Sequence, residues 1–458
     1  MKKKLMAALL SATMVVAMTA CGGSTQTPAA PAAEEETAEA EAEAPAEEAP
    51  VEAAAASEDE NTLTVWCWDP TFNIYAMQEA EKIYQKDHPD FKLVIEEVRD
   101  IDIETKITTA AAAGDLSTLP DIFLMQDNNY QKYVAFYPDV YTDLSASGID
   151  FSQFGAAKSA YSTVDGKHYA VPFDNGACVG AYRTDMLEAA GYTIDDLTDI
   201  TWDQYIEIGK KVLEATGNPL ITVSTGSPDL FMMMLQSCGA SLFNEDGSIN
   251  IAENETLVKI METYKEMYDA GVLVEVNDWD QYIASIQNGT VAGTINGCWI
   301  IGSITAAEDL AGKWAITNIP KLDGVNGATN YSSNGGSSWA ISTNCKNQEL
   351  AFDFMKTTFA GSVELYETIL PSAGAMATYL PAGDSTIYNE PQEFFGGQTI
   401  YADITEFAGK VPSNITGPYY YDARNAVGTA LTNVLQNGAD IATELQTAQE
   451  TTEFTMGG

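Results

Sequence analysis

Two pairs of residues stand where a ligand could be gripped. Trp68 and Asp69 follow the apolar run Leu63-Thr64-Val65-Trp66, and Asp127 and Asn128 follow Pro120-Asp121-Ile122-Phe123-Leu124-Met125. Each run reads as a short buried strand, and ligands of open α/β sheets bind beyond the carboxyl ends of strands. A flat ring beside carboxylates and amides suits a neutral polyol. The ring covers C–H faces, and the polar groups take hydroxyls in bidentate hydrogen bonds. Motifs of bond-making chemistry are missing: no G-x-S-x-G, H-E-x-x-H or phosphate-binding G-x-x-x-x-G-K-[ST] occurs. The only histidines, His88 and His168, lie in helix-end and strand contexts that suit structural roles. A pair of carboxylates could still serve a glycoside hydrolase, but nothing further in the sequence points there, and the chain is read as a non-enzyme. No cofactor or metal pattern is present.

The elements that must position these residues alternate. Helical spacing covers Ile74 to His88, Ile103 to Ala113, Tyr182 to Ala190, and a segment N-capped at Thr201-Trp202-Asp203. It recurs over Asn254 to Ala270, Asp280 to Asn288, Gln348 to Phe359, Asp422 to Gln436 and Asp440 to Phe454. Strands are expected at Phe91 to Val98 and Val291 to Asn296. This alternation predicts an α/β protein with parallel sheet. Trp66, Trp202, Trp314 and Trp339 are expected in the core or at helix starts.

The chain has 458 residues and a net charge of −44. It opens on Lys2-Lys3-Lys4, an apolar run to Ala17 and Met18-Thr19-Ala20-Cys21. Residues 1–20 read as a secretory signal peptide, too short an apolar run for a membrane span. Cys21 resembles the lipidated cysteine of a bacterial lipobox, which implies a lipid anchor on the outer face of the cell membrane. Between Gly22 and Glu60 there are 11 Glu, 1 Asp and no Lys or Arg. Residues 21–60 are therefore expected to be a disordered acidic tether. Beyond it, 54 acidic and 19 basic residues leave a body near −35. That excludes a nucleic-acid partner and disfavours anionic ligands. About 400 residues suit two domains. The five cysteines after Cys21 are widely spaced and odd in number, so buried free thiols are expected.

Taken in order, these segments resemble the extracellular solute-binding lipoproteins of ABC-type sugar importers, the family 1 binding proteins that include maltose-binding protein. The likeness rests on Leu63-Thr64-Val65-Trp66 with Trp68-Asp69, Leu119-Pro120-Asp121-Ile122, Asp165-Gly166-Lys167-His168-Tyr169-Ala170-Val171-Pro172 and Thr201-Trp202-Asp203. It continues through Asn288-Gly289-Thr290-Val291-Ala292, Asn296-Gly297-Cys298-Trp299, Gly335-Gly336 before Trp339-Ala340-Ile341-Ser342, and Asn437-Gly438. The chain departs from the family at Arg183, in the proline-poor loop Ile194 to Ile200, and at Leu230 and Phe231.

The resemblance implies a two-lobed periplasmic-binding-protein-like fold of type II, with ligand in a cleft between discontinuous lobes. These are residues 61–172 plus 339–373 and residues 173–338 plus 374–458. It implies a monomer that closes on a sugar or oligosaccharide and hands it to the transmembrane permease subunits. By the same likeness Trp299 stacks on sugar, Trp279 lines the same site, and Tyr420 is a second stacking aromatic, with Tyr419 and Tyr421 as alternatives. Asp127 matches a hydroxyl-binding carboxylate, and Asp174 and Asn175 fall at the first crossing between lobes. Gly336 suits either close approach to ligand or a hinge. A non-sugar solute such as a polyamine or peptide is the alternative cargo for the same fold.

Overall fold

In the computed structural model, residues 55–457 are described. The signal peptide, Cys21 and most of the acidic tether lie outside them. The ordered body starts earlier than Asn61. The Ala56 amide bonds the Leu119 carbonyl, and the Ser57 amide donates to the Asp121 carboxylate. Asp121 is fully buried and also accepts from the Thr64 backbone and hydroxyl, so it ties the chain's entry to the first strand. No described helix is long and apolar enough to cross a membrane.

Two sheets organise the body. The first runs 92–97, 62–67, 122–126, 337–341, 171–172 across its width. Its first three strands are parallel, and 337–341 pairs antiparallel with both neighbours. Side chains alternate through it. Leu63, Val65, Ile122, Leu124, Trp339 and Ile341 enter one core, and Trp66, Phe123, Met125 and Ala340 enter the other. The second sheet is 178–183 flanked by 293–297 and 314–317, all antiparallel. Its cores hold Cys178 and Tyr182 on one face and Val179, Ala181, Trp314 and Ile316 on the other. The expectation of parallel sheet thus holds for three strands of the first sheet and for a separate parallel pair, Ile221–Ser224 with Leu273–Val276. The antiparallel strands of the two larger sheets belong to a chain that passes between lobes and returns, so their direction is set by the crossing and not by a local strand–helix–strand unit.

The helices follow their local signals. Thr201 makes a capping box with Gln204 ahead of helix Trp202–Thr216, and Gly217 ends that helix in the left-handed region. Asn254 and Asp278 cap helices Glu255–Asp269 and Trp279–Gln287. One reading is corrected: Tyr182 and Arg183 are the end of strand Cys178–Arg183, and the helix is only Thr184–Ala189. Every residue of that strand is buried, so it carries no polar alternation to distinguish it from a buried helix. The four expected core tryptophans are at most 1% exposed, and Cys67, Cys178, Cys238, Cys298 and Cys345 are buried free thiols.

The chain passes between sheets at 172–178, 333–337 and beyond helix Val363–Ala373. Gly335 and Gly336 precede strand 337–341, both in the left-handed region. A Cβ on Gly336 would stand 2.6 Å from Asp127 Oδ2. Two carboxylates clamp this point. Asp174 accepts from the Ser337 amide (2.7 Å) and hydroxyl (2.5 Å). Asp127, 1% exposed, takes the Ser338 hydroxyl (2.7 Å) and pairs with Lys158, which also donates to the Ser337 carbonyl (2.9 Å). Burial raises the Asp127 carboxyl to about 6, against the pull of Lys158. Lys158→Met leaves that carboxylate buried without its cation and is expected to cost about 3–5 kcal/mol near pH 8. A raised folded-state pKa means stability is kept at low pH and lost as pH rises through it; without Lys158 to lower it this pKa rises further, so the variant should regain stability as pH falls, beginning above pH 6. Adding Asp127→Asn should restore most of the loss near pH 8 and remove its pH dependence, read by urea denaturation.

Candidate functional site

Between the two sheets lies a cleft of about 1040 Å³, at the upper end of the usual range for ligand sites. It receives Trp68, Asp69, Asn128, Asp174, Trp279, Trp299 and Tyr420 of the residues expected at a site. Asp127 and Asn175 do not line it. Asp127 is turned into the Lys158 and Ser338 cluster behind the wall, and the Asn175 amide oxygen accepts from the Ala177 amide (2.9 Å).

The first lobe presents Trp68 and Asp69 at the end of strand Thr62–Cys67. Asn73 fixes their loop by accepting both of their backbone amides at 3.0 Å. One Asp69 oxygen caps the next turn through Thr71 and Phe72. Gln126 and Asn128 stand at the end of strand Ile122–Gln126. The amide oxygen of Asn128 is buried with no hydrogen-bond partner among the described residues. An orphaned acceptor of this kind costs free energy unless something donates to it.

The second lobe supplies the rings. Trp299 follows strand Gly293–Gly297. Its indole N–H donates to the Asn334 carbonyl (2.9 Å), which holds the ring edge and leaves a face toward the cleft. Trp279 opens helix Trp279–Gln287, is 46% exposed and lies 5.8 Å from Trp299 between ring centroids. Tyr420 opens helix Tyr420–Asn437. Burial pushes its phenol up to about 12, so it remains a neutral donor and acceptor. Arg424, one turn on, pairs with Asp229 at the start of helix Asp229–Ser237.

Asp69, Asp100, Asp174 and Asp229 line the cleft against a single cation, Arg424. That field repels anions and accepts hydroxyl donors. Among the described residues no cluster of His, Cys, Asp or Glu is placed to hold a metal.

Several wall residues were not singled out from the sequence: Tyr161, Asp229, Gln236, Asn334, Asn414 and Arg424. Helix Asp229–Ser237 is buried over eight of its nine positions and Met-rich, so it shows no polar face to mark which residue reaches a site. Tyr161 ends a six-residue helix on the first lobe and lines the cleft together with Gln236 and Asn414 of the second. Only the Asp-Leu-Phe and Tyr-Tyr-Tyr-Asp-Ala-Arg runs carried a usable signal, an acid and a base flanking aromatics.

Contacts also cross the cleft mouth. Lys132 reaches Asp422 at 3.3 Å, the Tyr421 hydroxyl donates to the Gln126 amide oxygen at 3.1 Å, and Phe136 meets Tyr419 edge-on at 5.7 Å. The start of helix Tyr420–Asn437 therefore touches the first lobe and the cleft at once.

Residues 79–369 match the model of the family described as bacterial extracellular solute-binding protein. A lactose-binding protein of Rhizobium radiobacter is 38% identical over 80% of this chain and 86% of its own length. An arabinooligosaccharide-binding protein of Halalkalibacterium halodurans is 24% identical over 84% of this chain and 87% of its own. The galacto-N-biose-/lacto-N-biose I-binding protein of Bifidobacterium longum superposes with a TM-score of 0.71, at 19% identity, over 86% of this chain and 96% of that one. With the family model spanning most of the two-sheet body, and a relative of this identity along four fifths of its length, the chain belongs to the bacterial extracellular solute-binding protein family.

Proposed function

We propose that the protein captures a neutral disaccharide or short oligosaccharide outside the cell and delivers it to the membrane permease of an ABC transporter. The observation that carries this reading is the Trp279–Trp299 ring pair facing Trp68, Asp69 and Asn128 across one cleft. Rings for C–H faces and short polar side chains for hydroxyls meet there, with the carboxylates in excess over cations. Relatives named for lactose and arabinooligosaccharides support a sugar over a polyamine or peptide. Lactose and related β-galactosides are the first candidates.

Binding is by hinge closure. The moving bodies are residues 61–172 with 339–373 and residues 173–338 with 374–458, turning about the strands clamped by Asp127, Lys158 and Asp174. Closure brings Tyr161 and Lys132 of the first lobe against the second and Tyr421 of the second against Gln126 of the first, and the closed form docks on the permease. The chain reaches the outer membrane face by signal-peptide removal and lipid attachment at Cys21. Cargo is released unchanged.

A calorimetric and thermal-shift panel of lactose, galactobiose, arabino-oligosaccharides, maltodextrins and polyamines tests the reading. A ligand at 100 times its Kd adds about 2.7 kcal/mol, a rise of a few degrees in Tm. A selective rise with a sugar is expected, and Trp299→Ala should weaken that sugar at least about tenfold, roughly 1.4 kcal/mol, while the ligand-free melt stays cooperative. A rise with polyamines alone would contradict the sugar. The mouth contact predicts less. Lys132 and Asp422 are 34% and 29% exposed, and such pairs are worth about 0.2–1 kcal/mol. Lys132→Ala should therefore raise Kd no more than about fivefold at low salt and by less in high salt.

A further inference from the structure

A second cavity of about 230 Å³ opens beside the main cleft. Asp229 and Trp279 line both, so the two spaces meet at one acid and one indole. Strand Ile221–Ser224 and the turn to Ser227 form one side, and Leu230 and Met233 form the floor. Tyr282, Ile295 and Asn296 close the far side.

The chemistry of this cavity repeats that of the cleft on a smaller scale. Val223, Leu230, Met233 and Ile295 make an apolar patch fit for a C–H face. Polar groups sit opposite with capacity to spare. The Ser224 hydroxyl takes part in no hydrogen bond among the described residues. The Ser227 hydroxyl accepts from the Asp229 amide and keeps its proton to donate. One Asp229 oxygen holds Arg424, which leaves the other for a ligand hydroxyl. No cationic side chain lines the cavity.

A chain of hydrogen bonds holds the two rings on which Trp279 packs. Tyr282 bonds Thr294 and accepts from Asn296, Asn296 accepts from Asn334, and the Asn334 carbonyl holds the Trp299 ring. Trp279 packs on Tyr282 at 5.0 Å between centroids and on Trp299 at 5.8 Å. The indole of Trp279, packed on both rings, thus borders both spaces. The volume far exceeds the roughly 10–15 Å³ that one water needs.

We infer that this side cavity is a subsite for one further sugar unit of the same ligand, so that a trisaccharide spans Trp279 where a disaccharide stops at it. The inference rests on the sugar reading of the main cleft. It names Ser224 and Ser227 as residues that set chain length without touching the part of the ligand held by Trp299.

The test is titration calorimetry on the purified protein with paired probes: lactose against lactose extended by one galactose, and likewise arabinobiose against arabinotriose and maltose against maltotriose. In the pair that binds, the wild type is expected to favour the trisaccharide at least about tenfold. Ser224→Leu and Ser227→Leu, made separately, fill the side cavity. Each should keep the disaccharide Kd within about twofold and abolish the trisaccharide advantage, with ligand-free melts recorded to identify a variant that has lost its fold. A wild type that binds both sugars of a pair equally would overturn the subsite while leaving the capture function intact, and this arm needs no variant. Full retention of the advantage in both folded variants would overturn it as well. Binding of no sugar by the wild type would overturn both this inference and the capture reading.

Discussion

Strand Ser337–Ile341 can insert between Ile122–Gln126 and Val171–Pro172 only if the chain arriving from the second lobe turns sharply at Gly335 and Gly336. That turn presses backbone against Asp127 and Asp174, and the position of the cleft follows from it. The carboxylates hold Ser337 and Ser338, which places Asn334 where its carbonyl fixes Trp299. Trp299 in turn sets Trp279. A wall for an apolar ligand face is thus traced back to a backbone crossing that no single helix or strand contains.

The same constraint separates stability from recognition. Asp127 is buried, Lys158 is largely covered, and together they hold the crossing, whereas Asp69, Asn128 and Asp229 are left partly open to the cleft. Carboxylates of one type do two jobs, and burial decides which. The acidic field of the cleft is then the sum of those left at its surface, with Arg424 countering only Asp229.

Much of this was legible in the sequence where the signal is local. Caps at Thr201, Asn254 and Asp278 and stops at Gly114 and Gly217 mark helix ends because those side chains and that backbone freedom act within one turn. Residues after strands, such as Trp68, Asp69 and Asn128, were found because sheet topology aims strand ends at the cleft. What failed was non-local. Asp127 obeys the strand-end rule, yet its side chain is claimed by Lys158, 31 positions away. Tyr161, Gln236 and Asn414 become site residues only when two lobes meet. Tyr182 and Arg183, the end of strand Cys178–Arg183, were read as the start of a helix because burial on both faces erases the period.

The central claim is that the Trp279–Trp299 pair is a sugar platform facing Trp68 and Asn128. A crystal structure grown with the best-binding oligosaccharide tests it directly. The account predicts a pyranose or furanose ring lying flat on Trp299, with a ligand hydroxyl donating to the Asn128 amide oxygen and another reaching Asp69 or Asp229. A ligand bound with both indoles uncovered, or held outside this cleft, would contradict it.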